Sequence, residues 1–133
     1  MKKVLFVSWQ GGMGHITRDV AIVKELRRQN PEVDVSWIAH PLACRVLEEA
    51  GEPILPESRL SADYNQLIPQ ILNGFRLNVM RYVAATRGPF ARNVALFRQA
   101  IAKHHFDLVI GDESYELTRA LAANEVDLNC RMI

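Results

Sequence analysis

Apolar positions along this chain change period in a regular alternation. Residues 3–8 (KVLFVS) form a short β-branched and apolar run, the pattern of a strand covered on both faces. A glycine-rich turn follows, and Ile16, Val20, Val23 and Leu26 then recur at the 3–4 spacing of an amphipathic helix over 16–29. Asn30-Pro31 stops it, and 33–39 alternates as a second strand. Pro41 suits the first position of a helix over 41–50, with Gly51 as its stop, and 53–55 reads as a short third strand ended by Pro56. In the middle, Ile68, Leu72, Phe75, Val79, Tyr82 and Val83 form one long helical stripe. Gly88-Pro89 is expected to break it before a second stripe of Phe90, Val94, Phe97 and Ile101. A fourth strand over 107–111, a helix over 114–124 and the start of a fifth strand over 128–133 complete the pattern. Strands alternating with helices imply a parallel sheet with right-handed crossovers. The expected fold is therefore α/β, a Rossmann-like doubly wound parallel sheet of strand order 3-2-1-4-5 with helices on both faces.

The 133 residues suit one domain, and 49% hydrophobic content supplies a proper core, which excludes disorder. No apolar run approaches the roughly 20 residues needed to span a bilayer. Cys44 and Cys130 form no Cys-x-x-Cys pair, so no metal site or disulfide is expected and a reducing cytoplasm is the default location. A formal net charge of +1 argues against a nucleic-acid partner. The charge is uneven, however. Between Tyr64 and Phe106 there is no acid, while Arg76, Arg81, Arg87, Arg92, Arg98 and Lys103 leave that stretch at +6 and the remainder at −5. Its apolar stripes read first as core; an anionic partner or a lipid surface on its basic face is the alternative.

The chemistry concentrates in Gln10-Gly11-Gly12-Met13-Gly14-His15, between the first strand and the first helix. Glycines there let backbone N–H groups and a helix N-terminus approach an anion. A dinucleotide site would want a third glycine where Thr17 stands, and an acid after the second strand, which instead ends Trp37-Ile38-Ala39-His40. A phosphate loop of the Gly-Lys-Ser/Thr type is excluded by Gly14-His15-Ile16. What stands out is a histidine at a helix start beside a turn of glycines.

Gly11-Gly12-Met13-Gly14-His15-Ile16-Thr17-Arg18 resembles the N-terminal signature of GT-B glycosyltransferases. The likeness is to the branch with the peptidoglycan N-acetylglucosaminyltransferase that makes lipid II and the UDP-glucuronosyl and plant UDP-sugar transferases. Trp37-Ile38-Ala39-His40-Pro41, Leu47-Glu48-Glu49-Ala50-Gly51 and Phe106-Asp107-Leu108-Val109-Ile110-Gly111-Asp112 are similar to further stretches of that family, whereas 57–105 is not. The resemblance implies that residues 1–133 are a single N-terminal, acceptor-side domain of an inverting enzyme, with a donor-binding domain supplied in cis or in trans. It implies no cofactor, a nucleotide-sugar (a UDP-sugar) as donor substrate, and a small-molecule or lipid-linked acceptor. It also raises the expectation of peripheral membrane contact through 64–106. The alternatives are one subunit of a split transferase, or a stand-alone non-catalytic module that binds a nucleotide or phosphate.

Inverting transfer needs a base for the acceptor hydroxyl, and histidine suits that task near neutral pH. In order 3-2-1-4-5 the first and fourth strands are neighbours, so His15 and Asp112 are expected across one cleft. The resemblance gives them the roles of base and partner, with Glu113 able to stand in for Asp112. Gly11, Gly12, Gly14, Arg18 and Glu113 are the candidates for substrate or phosphate contact. Simpler roles compete: Asp112 as the N-cap of the following helix, the glycines as turn formers, Arg18 as a solvated side chain. His40, His104 and His105 are read as surface or capping residues.

Overall fold

The computed structural model describes all residues except Met1, Gln10, Gly11, Tyr64, Asn65, Gly74 and Phe75. Strand β1 (Lys2–Ser8) is central, and its side chains alternate between two cores. Val4 and Phe6 point to one face, where Ile16, Val20 and Val23 of helix α1 (Met13–Gln29) and Ala43 and Leu47 of α2 (Pro41–Glu49) cover them. Leu5 and Val7 point to the other, where Val94, Phe97 and Ala100 of α4 (Val79–Lys103) and Leu117 and Ala120 of α5 (Tyr115–Ala122) pack. A strand with four successive apolar residues, Val4 to Val7, thus needs helices on both sides, and has them.

β1 pairs in parallel with β2 (Val33–Ala39) on one side and β5 (Leu108–Asp112) on the other, and β5 pairs in parallel with β6 (Arg131–Met132). The sheet order is β2-β1-β5-β6. The expected five-strand sheet is corrected here: residues 53–55 form no strand, and Ile54 makes only an isolated parallel bridge to Trp37. Proline on both sides explains the brevity, because Pro53 and Pro56 lack the N–H that would extend a ladder. The chain passes instead into a 3-10 turn (Pro56–Leu60).

The middle of the chain departs most from expectation. The stripe beginning at Ile68 is not one helix. A single turn, α3 (Ile68–Ile71), gives way to a short antiparallel pair, β3 (Leu72–Asn73) and β4 (Arg76–Leu77), and α4 starts only at Val79, capped by Asn78 Oδ1 accepting from the Arg81 N–H. In that pair Asn73 lies opposite Arg76 and Leu72 opposite Leu77. Phe75 of that stripe lies outside the described residues. Nor does Gly88-Pro89 end a helix, for α4 runs through Pro89. Ala85, whose carbonyl Pro89 cannot serve, is partly exposed, and Arg87 and Gly88 are exposed. The front of α4 is not core: Val79, Met80 and Val83 are 63%, 80% and 54% exposed.

The far end of β5 is packed tightly against its neighbours. A Cβ on Gly111 would stand 2.7 Å from the Met132 Cε and closer still to the Ser114 Oγ, so with any other residue there both side chains would have to shift.

Candidate functional site

β1 and β5 end side by side, with Ser8 opposite Asp112 in the register. Helix α1 begins at Met13, so His15 lies in its first turn. Gly12, the residue before the helix, is extended (φ −85°, ψ 130°), and a Cβ on it would stand 3.0 Å from the His15 Cδ2. Its smallness therefore seats the imidazole. Apart from its chain neighbours and its own helix, nothing among the described residues lies within 4 Å of where a Gly14 Cβ would be, so that position faces open space. Neither adopts the left-handed conformation, and Gly11 lies outside the described residues.

Across the cleft, His15 Nδ1 is 3.0 Å from Asp112 Oδ2, joining residues 97 positions apart. A ring nitrogen facing a carboxylate at that distance carries the proton, so Nε2 is left with its lone pair. Glu113 stands on that other side, its Oε2 3.8 Å from Nε2. Its backbone is left-handed (φ 45°), which for a residue with a Cβ stores about 1 kcal/mol or more. Asp112 does not cap α5: that position is Ser114, and the Asp112 oxygens go to His15 and Arg18.

Arg18, one turn beyond His15, donates from Nη2 to Asp112 Oδ1, and the same nitrogen lies 3.3 Å from His15 Nδ1. Its Nε is 3.6 Å from Asp19 Oδ1. His15 and Asp112 thus meet as the strand order implies, Arg18 joins them rather than standing in solvent, Glu113 lies beside the ring, and Asp19 and Ser8, which the sequence motifs did not single out, complete the group. Asp19 is wholly buried and accepts from the Ser8 hydroxyl at 2.7 Å. Burial pushes its carboxyl above the usual aspartate value; the Asp112 charge adds to this, while the Ser8 bond and the charges of Arg18 and His15 oppose it. One signal for Asp19 was present in the pattern: it is an acid inside the buried stripe of Ile16, Val20 and Val23.

The remaining histidines are structural. His40 is buried and caps α2, its Nδ1 accepting from the Leu42 N–H and its Nε2 lying 3.0 Å from Asp63. His104 ends α4. A separate cavity of about 460 Å³ opens at the opposite end of the sheet, between the end of α4 and the approach to β6, and contains none of the candidate residues. Among the described residues no cluster of His, Cys, Asp and Glu is arranged to hold a metal ion, and no helix is long and apolar enough to cross a membrane.

No family model matches the chain, and no curated protein matches it in sequence. Solved structures do share its fold. The crystal structure of CalG4, the calicheamicin glycosyltransferase, aligns with a TM-score of 0.66 at 19% identity, over 94% of this chain and 30% of that one. MurG of Acinetobacter baumannii aligns with a TM-score of 0.54 at 21% identity, over 99% of this chain and 34% of that one. The C-terminal domain of PF1911 hydrogenase from Pyrococcus furiosus also aligns, with a TM-score of 0.54 at 11% identity, over 99% of this chain and 89% of that one. The chain spans about a third of the length of the glycosyltransferases it matches.

Proposed function

We propose that this chain is the acceptor-binding part of an inverting glycosyltransferase. The observation that carries the reading is the 3.0 Å contact between His15 Nδ1 and Asp112 at the adjoining ends of β1 and β5, where open α/β sheets bind ligands. His15 Nε2 takes the proton of an acceptor hydroxyl as that oxygen forms its bond to the anomeric carbon. The bond from that carbon to the phosphate oxygen breaks, and the departing nucleoside diphosphate keeps the electron pair. Asp112 holds the tautomer and stabilises the imidazolium so formed. Gly11, Gly12, Gly14, Arg18 and Glu113 contact substrate. The first turn of α1 offers N–H groups to a phosphate, and Glu113 stands where an acceptor would meet Nε2.

The donor is a nucleotide-sugar, a UDP-sugar by resemblance, held largely by a second domain in cis or in trans, and the acceptor is a small molecule or a lipid-linked one. Exposed Val79, Met80 and Val83 beside exposed Arg76, Arg81 and Arg87 support peripheral contact of a cytoplasmic protein with an anionic membrane. A non-catalytic module is the competing reading, since a hydrogenase domain shares the layout. A transferase assay on the assembled enzyme separates them. His15→Ala should lower kcat by about 10²–10⁴-fold; an unchanged kcat refutes the base.

A further inference from the structure

The Arg18 guanidinium lies between two carboxylates, Asp112 at the mouth and Asp19 beneath it. That position is hazardous for the pair it adjoins. An arginine fork matches both oxygens of a carboxylate, so Arg18 is built to grip Asp112 with two N–H groups and strip it from His15. The same guanidinium is already 3.3 Å from His15 Nδ1, where it can donate to that nitrogen whenever the ring proton sits on Nε2 instead. Either event leaves Nε2 protonated and useless as a base. Asp19 stands on the opposite side. Its Oδ2 is held by Ser8, while its buried Oδ1 has no hydrogen-bond partner among the described residues and lies 3.6 Å from Arg18 Nε.

We infer that Asp19 is a positioning residue: a buried counter-charge facing the Arg18 Nε, so that only Nη2 reaches Asp112, the two-pronged grip does not form and the imidazole stays protonated at Nδ1. A buried acceptor without a hydrogen bond is costly, and packing alone would favour an apolar residue in that stripe. The carboxylate is explained by the cation above it. Asp19 acts only through Arg18 and touches no substrate.

The inference rests on the reading of His15 as base, but its test needs no turnover. Long-range proton–nitrogen correlation spectra of the His15 ring report which nitrogen carries the proton, read at about pH 8.5, above the ordinary histidine range. The wild-type ring should be protonated at Nδ1. Asp19→Asn, nearly the same shape, should lose that state in favour of Nε2. Asp19→Asn combined with Arg18→Ala should regain it, a suppression that a role in packing would not show. Circular dichroism checks the fold of each variant. Should Asp19→Asn fail to fold, Asp19→Ala is read the same way, and Arg18→Ala alone must retain the Nδ1 proton. An unchanged tautomer in the Asp19 variant, or no recovery in the double variant, overturns the assignment of Asp19 only. A wild-type ring protonated at Nε2 overturns the reading of His15 as base.

Discussion

Asp19 ties the stability of the fold to pH. Below the usual aspartate range the carboxyl is protonated in the folded and unfolded chains alike, and contributes no pH dependence. As pH rises through that range the unfolded chain gives up its proton first, because burial raises the value in the fold. Each further step then favours unfolding, until the folded carboxyl ionises too. Asp19→Asn should therefore lose less stability than the wild type as pH rises above the ordinary aspartate value of about 4, in parallel urea titrations. Equal slopes would show that the fold does not resist the charge. His15 and Asp112 were legible in the sequence because strand neighbours follow from topology, whatever the separation along the chain. The role of Asp19 was not, because an acid in an apolar stripe carries no label saying which cation it faces.

At the scale of elements, the 64–106 stretch resisted reading for a physical reason. Helical spacing continues from Ile68 to Val83 as though nothing intervened, yet an antiparallel pair, Leu72–Asn73 with Arg76–Leu77, interrupts it, and spacing alone does not report strand pairing. Farther on, Val94, Phe97 and Ala100 are buried against the sheet, and α4 there survives a proline that periodicity alone would make a boundary. The front of the same helix keeps Val79, Met80 and Val83 in water. If that face meets anionic lipid, the chain should sediment with phosphatidylserine vesicles at low salt, and Met80→Glu should weaken the binding severalfold. Failure to bind such vesicles removes the membrane contact from the proposal.

For the molecule as a whole, one sheet is shared by two apolar cores, so neither layer has a face to keep if the other is lost. Phe6, stacked on Trp37 with ring centroids 4.5 Å apart, belongs to one layer, and Phe97 to the other. Truncating either to alanine should cost about 3–5 kcal/mol and leave a single transition in urea, followed by fluorescence and circular dichroism together. Separate transitions would mean that the layers are independent. The doubly wound class was readable because strands with successive apolar residues must be covered twice. The third strand was over-read, since two prolines remove donors that an apolar tripeptide gives no sign of lacking.

Gly111 has no chemistry of its own, yet it precedes Asp112 in a strand where a single methyl would collide with Ser114 and Met132. An added methyl would push the Ser114 hydroxyl and the Met132 methyl out of their present places before it moved the strand. The surroundings of Asp112 are in this sense arranged around an omission, and the smallest possible change of side chain would disturb them first.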